Sequence, residues 1–207
     1  MAKKEQNYCI LYIVRHGETD WNAEGKTQGE SNIPLNNKGI QQAKALNKDL
    51  KDVKFNAIFS SDLVRAKKTA EIIAVERKLA IETTHLLRER RYGKLDGTPY
   101  HMMQEFHRIW ENLSKKERVG YRPYGGYETD EEAISRFITF LREVAARYLG
   151  KTVLIVSHGG MMMVLLNHLS EETYFVGAVS NSAYIKLESD GVDFFIKELQ
   201  GIKNPNE

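Results

Sequence analysis

The chain has 207 residues, 42% of them hydrophobic and 28% charged, which excludes a disordered polar chain and lets one domain, 1–207, bury a full core. Thirty basic against 28 acidic residues leave a net charge of +2, too near neutral for a nucleic-acid binder steered by global charge, so any anion site must be local. The single cysteine, Cys9, excludes an internal disulfide and fits a reducing compartment; residues 1–7 are polar and no run approaches a membrane span, so the expectation is a cytoplasmic protein with no nucleic-acid or membrane partner.

Residues 8–14 are rich in aromatic and β-branched side chains and stop at a charged, glycine-containing segment, which predicts a buried strand feeding a loop. Arg15 and His16 then stand at a strand's C-terminal end, the edge of an α/β sheet where ligands bind. Past a loop with Gly25, Gly29 and Pro34, the spacing of Ile40, Ala43, Leu46 and Leu50 predicts a helix over 37–49, with Asn36 or Asn37 as N-cap. Residues 55–59 predict a second strand. Ser60-Ser61-Asp62 opens a helix running to about residue 78 on the pattern Leu63, Ala66, Ala70, Ile73.

A third strand near 80–83, a basic loop over 88–97 and a helix over 99–110 follow. Residues 114–128 show no clear period and read as an excursion, and the stretch at about 98–128 is expected to form a lid. Thr129 or Asp130 caps a helix reaching Leu149, which Gly150 ends. Residues 152–156 form a strong buried strand, and Ser157-His158-Gly159-Gly160 repeats at its end the placement of His16. The runs 183–187 and 194–199 around Ser189-Asp190-Gly191 predict a hairpin at the sheet edge. The expected architecture is α/β, a three-layer sandwich: a central, mostly parallel sheet with an antiparallel edge and helices on both faces.

Two histidines at the ends of two strong strands, one beside an arginine and each followed by glycine, can converge on one pocket. A lone histidine is more often a surface or packed core residue, the reading taken for His85, His101, His107 and His168. A zinc site would call for further ligands near His16 and His158 at spacings such as His-x-x-x-His, and neither is present, so no metal or other cofactor is expected. Phosphoryl chemistry calls for a nucleophile, fixed positive charges and a proton donor. Arginine suits the second role because its planar fork donates two hydrogen bonds to phosphate oxygens and stays charged. Arg15 and Arg65 are the candidates, Arg65 near the start of its helix where the dipole adds to the attraction for an anion.

The segment Arg15-His16-Gly17-Glu18-Thr19-x-x-Asn22, followed by Gln28-Gly29 and Pro34-Leu35-x-x-x-Gly39-x-x-Gln42-Ala43, resembles the signature of the histidine phosphatase superfamily, the phosphoglycerate mutase-like family. Ser60-Ser61-Asp62-Leu63-x-Arg65-Ala66-x-x-Thr69-Ala70 resembles its second block, Leu87-Arg88-Glu89 with Tyr92-Gly93 and Gly97 its third, and Val156-Ser157-His158-Gly159-Gly160 its fourth. The resemblance runs from residue 10 to about 187 and implies the family's fold. It implies that His16 attacks phosphorus, that Arg15, Arg65 and a protonated His158 bind the phosphoryl oxygens with Asn22, and that Glu89 is the acid–base residue. Glu18 competes for that last role and is placed instead as a structural hydrogen-bonding group.

Cofactor-dependent phosphoglycerate mutases share such a pocket and are the alternative to hydrolysis. Arg91, Gly160 and the short excursion favour the phosphatase branch and resemble sugar-bisphosphatase members. Arg90, Arg91 and Tyr92, with Lys94, Arg122 and the tyrosines Tyr121, Tyr124 and Tyr127, cluster where they would overhang the pocket, so Arg90, Arg91 and Tyr92 join the expected substrate-binding set. A solvated basic loop is the competing reading. The expected partner is a small phosphorylated metabolite, a phosphosugar or phosphorylated glycolytic acid being favoured. A non-catalytic phospholigand- or protein-binding member is a further alternative, and the oligomeric state is open.

Overall fold

In the computed structural model, residues 7–170 and 179–203 are described; the expectations for residues 1–6, for the ends of the 1–207 domain and for the side chain of His107 lie outside them. Six strands form one sheet: β1 (Cys9–Arg15), β2 (Ala57–Ser61), β3 (Ile81–Thr84), β4 (Thr152–Ser157), β5 (Val179–Ser189) and β6 (Phe194–Ile202), in the order β3-β2-β4-β1-β5-β6. β3, β2, β4 and β1 are mutually parallel, and β5 turns back antiparallel to both β1 and β6. This is the three-layer α/β sandwich with an antiparallel edge hairpin that the pattern predicts.

Both faces of the sheet are buried, which is why β1 and β4 read as unbroken apolar runs rather than alternating ones. Cys9, Leu11 and Ile13 of β1, with Val153 and Ile155 of β4, pack under α6 (Asp130–Arg147) and α7 (Gly159–Leu169). Tyr12, Val14, Leu154 and Val156 pack under α2 (Asn37–Asp49) and α3 (Val64–Ala74) on the other side. Burial pushes the Cys9 thiol up to about 11, so at neutral pH it is a small apolar group. No helix among the described residues is long and apolar enough to cross a membrane.

Capping explains most helix starts. Asn36 accepts from the Gly39 N–H at the start of α2, and Thr129 forms a reciprocal box with Glu132 at α6. The same box, Thr19 with Asn22 and Ser114 with Glu117, defines two short helices absent from the sequence reading, α1 (Asp20–Ala23) and α5 (Lys115–Val119). At α3 the expectation fails: its N-cap is Leu63, with no side-chain cap, because Ser60 and Ser61 belong to β2 and the Asp62 carboxylate binds Arg88 at 2.7 and 2.8 Å. The helix expected over 99–110 is a 3-10 turn, Tyr100–Met103, running into α4 (Gln104–Glu111). α7 was not foreseen either. Two glycines open it and a solid apolar run follows, so it has no 3.6-residue stripe to read.

Candidate active site

β1 and β4 are parallel neighbours with Arg15 level with Ser157, so the residues that follow them, His16 and His158, leave the sheet side by side. Their ring centroids lie 5.1 Å apart and both rings are buried. The main chain of His16 is pinned on both sides: its N–H donates to the Ser157 carbonyl at 3.2 Å, and its carbonyl accepts from the Ser182 N–H at 3.3 Å and the Asn181 amide at 3.2 Å. His16 Nδ1 lies 2.7 Å from the Gly17 carbonyl, which can only accept; Nδ1 therefore carries the proton and Nε2 is bare. Gln42 holds the peptide bearing that carbonyl, its Oε1 accepting from the Glu18 N–H at 2.8 Å.

The first turn of α3 brings in Arg65, the largest fully buried side chain, whose Nε donates to His16 Nε2 at 3.2 Å. Its other nitrogens donate to the carbonyls of Ser31 at 2.6 Å and Gly29 at 2.8 Å. Gly29 has φ 49° and a Cβ there would run into the Asp96 carboxylate, so only glycine fits this cradle. Burial pulls the Arg65 guanidinium down to about 10, still charged at neutral pH. Arg15 donates to the Val179 carbonyl. Its Nε and both ring nitrogens of His158 are buried without a hydrogen-bond partner among the described residues. Unpaired donors of this kind, beside a bare imidazole nitrogen, make an anion site.

Burial, then the charges of Arg65 and Arg15, hold His16 well below its ordinary 6.5, so the ring is neutral. His158 is held down the same way, by burial first and then by Arg65, His16 and Arg15. The protonated His158 expected from the sequence is therefore not the state of the open site. Two guanidinium groups repel a third cation until negative charge arrives between them.

Glu89 is 8% exposed and closes the opposite wall. Its Oε2 accepts from the Gly160 N–H at 3.0 Å and its Oε1 from the Arg90 N–H at 2.9 Å. Asn22 lines the cavity with its carbonyl oxygen already engaged by the Thr19 N–H and the Asn181 amide, each at 3.2 Å, which leaves its NH2 for a ligand. Glu18 sits outside the cavity as expected, bound to Lys38 at 2.7 Å and Asn36 at 3.1 Å, the hydrogen bonds that hold its carboxyl below the usual range.

The cavity has a volume of about 540 Å³, and its outer wall is aromatic and apolar: Tyr92, Met103, Phe106, Trp110, Tyr121 and Tyr127. The excursion supplies most of this wall, seated on a small separate core of Leu95, Met103 and Tyr127. Of the expected basic cluster, only Arg90 reaches the cavity, and it is occupied, paired with Asp130 at 2.5 Å and lying over the Tyr127 ring at 4.8 Å. Arg91 is exposed and outside the cavity, its main chain clasping Glu128. Lys94 stacks on Tyr124, and Arg122 pairs with Glu132. Glu128 binds Arg136 at 2.8 and 3.0 Å and accepts from the Arg91 N–H, tying the 88–91 loop to α6. His85, His101 and His168 are exposed.

The carbonyls of Gly29 and Ser31, the roles of Gln42 and Asn181, and Met103, Phe106 and Trp110 of the wall escaped the sequence reading, which had placed Tyr92, Tyr121 and Tyr127 over the pocket. The polar residues Ser180, Asn181 and Ser182 at the start of β5 were the sequence signal for that strand end, where Ser182 adopts φ 61°. Among the described residues no group of three or more His, Cys, Asp or Glu side chains is placed to hold a metal ion.

Strand-end histidines, a buried and a half-buried arginine and a carboxylate brought together at one cavity define a class. Residues 11–200 match the model of the histidine phosphatase superfamily (branch 1), and the chain belongs to that family. It is 39% identical to the uncharacterized phosphatase PhoE of Bacillus subtilis, covering 76% of each chain. It is 31% identical to a metal-independent phosphoserine phosphatase of Arabidopsis thaliana, over 82% of this chain and 72% of that one. Among solved structures it superposes on a phosphoglycerate mutase from Bacillus anthracis with a TM-score of 0.81 at 26% identity, covering 95% and 94% of the two chains.

Proposed function

We propose that the chain is a phosphatase of small phosphomonoesters that works without a metal through a phosphohistidine on His16. One observation carries this reading: the bare Nε2 of His16, buried among Arg65, Arg15 and the unpaired nitrogens of His158. The Nε2 lone pair attacks phosphorus and the bond to the leaving oxygen breaks, Glu89 giving its proton to that oxygen so that an alcohol departs. Arg65 Nε–H, which the free nitrogen accepts, passes to a phosphoryl oxygen, and Arg15, His158 and Asn22 hold the remaining charge. As the dianion enters, its negative charge reverses the repulsion on His158 and lets that ring take up a proton. Water then attacks phosphorus, the N–P bond breaks, the Glu89 carboxylate takes the proton of the water, and phosphate leaves with His16 regenerated.

The leaving group faces the aromatic wall, with Arg91, Lys94 and Arg122 elsewhere and Arg90 paired. The remaining cation on the lining, Lys26, is paired with Glu24 at 2.6 Å, so beyond Arg15 and Arg65 the lining cations already have partners, which supports a leaving group with an apolar face over a second anionic substituent. The excursion at about 98–128 acts as the cover of this pocket. The names of the phosphatase relatives support hydrolysis of small phosphorylated substrates.

The test is hydrolysis of an aryl phosphate in the presence of a chelator, with acid-labile phosphoenzyme trapped at neutral pH. His16→Ala should lose both the phosphoenzyme and more than about a thousandfold in rate; a fully active variant would refute the nucleophile. Phosphate release and phosphoglycerate interconversion measured side by side separate hydrolysis from mutase action, and dominant interconversion would overturn the phosphatase reading.

A further inference from the structure

We propose that Gly160 is a positioning residue for proton transfer, its missing side chain being the space that lets the Glu89 carboxylate reach the phosphoryl site; this rests on Glu89 as the proton donor. A Cβ built at Gly160 would lie 2.6 Å from Glu89 Oε1 and 2.5 Å from the Tyr92 hydroxyl. Both are ends of side chains that line the cavity, so an added methyl would be met by displacing them from the positions they hold. Glu89 is clamped by two backbone N–H groups, those of Gly160 and Arg90, and Tyr92 packs in the small core under the excursion.

The N–H of Gly160 is one of the first in α7, a group with no intrahelical partner, and the N-cap residue His158 makes no side-chain cap. Glu89 takes that place from across the cavity. Each of its oxygens accepts one backbone N–H, leaving a free position for the proton it gives to the leaving oxygen and, later, for the proton it takes from water. The preceding glycine works on a different group: a Cβ at Gly159 would stand 3.1 Å from Arg15 Nε, the unpaired nitrogen. The helix start thus carries no side chains where the acid and one phosphate-binding cation must lie against its backbone. Added bulk at the two positions should therefore have different chemical consequences.

The experiment compares kcat/KM, which reports the step that forms phosphohistidine, for an alkyl phosphate and for 2,4-dinitrophenyl phosphate. The alkoxide needs a proton to depart and the dinitrophenolate does not. Gly160→Ala should lose about 100-fold on the alkyl phosphate and less than about threefold on the dinitrophenyl ester. Gly159→Ala, which crowds Arg15, should lose similarly on both. Since the ratio is taken within one preparation, a loss of folded protein cancels.

Glu89→Gln tests the underlying reading separately: it should show the same leaving-group dependence, and equal losses on both esters would remove Glu89 as the donor. If Glu89→Gln shows the dependence and Gly160→Ala does not, the positioning role of Gly160 is wrong. The double variant Glu89→Asp with Gly160→Ala supplies a second arm, because the shorter acid withdraws from the added methyl. Its alkyl phosphate loss should fall below the product of the two single losses, and a full product would also count against the proposal.

Discussion

Arg65 shows why residue type matters more than charge at this site. Three of its nitrogens are aimed at once, at His16 Nε2 and at the carbonyls of Ser31 and Gly29, and only a planar fork can do this. Arg65→Lys keeps the charge but not the geometry, so kcat/KM for an aryl phosphate should fall about 100-fold, with vanadate inhibition weakening alongside it. A variant within a few-fold of the parent would mean that bulk positive charge suffices. His16, Arg15, Arg65 and His158 were legible as candidates because the strand ends and a helix start advertise them, and the family resemblance added Glu89. The Gly29 and Ser31 carbonyls and the Gln42 clamp were not. Every residue has a carbonyl, and which one points at a guanidinium depends on how two distant loops meet.

At the scale of elements, α6 packs against the sheet while α4 lines the cavity. α6 is a long amphipathic helix whose start is set by the Thr129 and Glu132 box, so Thr129→Ala should cost about 1 kcal/mol, read as a lower urea midpoint at unchanged slope. α4 contributes Phe106 and Trp110 to the outer wall of the cavity. Trp110→Ala should raise KM about tenfold for an ester with an apolar leaving group while leaving inhibition by inorganic phosphate nearly unchanged. An equal effect on both would place Trp110 in support of the whole pocket. The sequence announced α6 through its cap and period but missed α7, where a buried apolar run carries no period, and misread the opening of α3, where Asp62 had a stronger partner in Arg88 than the helix end.

For the whole molecule, the site sets a pH dependence of stability. His16 and His158 are both held well below 6.5, first by burial and then by the arginines. The unfolded chain takes up protons near that pH while the folded chain does not. Stability is therefore full above about 6.5 and falls as the pH drops below it, by up to about 1.4 kcal/mol per pH unit for each histidine. Asp96, raised by burial to about 6, has the opposite sign: the folded state binds its proton first, which offsets part of the loss below that pH. Urea unfolding at a series of pH values between 7.5 and 5 should show this decline, and His158→Ala should make it shallower; a flat profile would contradict buried neutral histidines.

What the sequence determined by itself was the order of the strands and of the long amphipathic helices, the two-sided burial of the sheet and the identity of the candidate site side chains, because these follow from local apolar pattern, capping and recurring motifs. Tertiary structure alone decided which cations of the basic stretch line the cavity. Arg90, Arg91, Lys94 and Arg122 look alike in a basic stretch, yet pairing with Asp130, solvent exposure, stacking on Tyr124 and pairing with Glu132 dispose of them one by one. A charge counts toward a substrate only when no nearer group has neutralised it, and that is settled by packing between segments far apart in the chain.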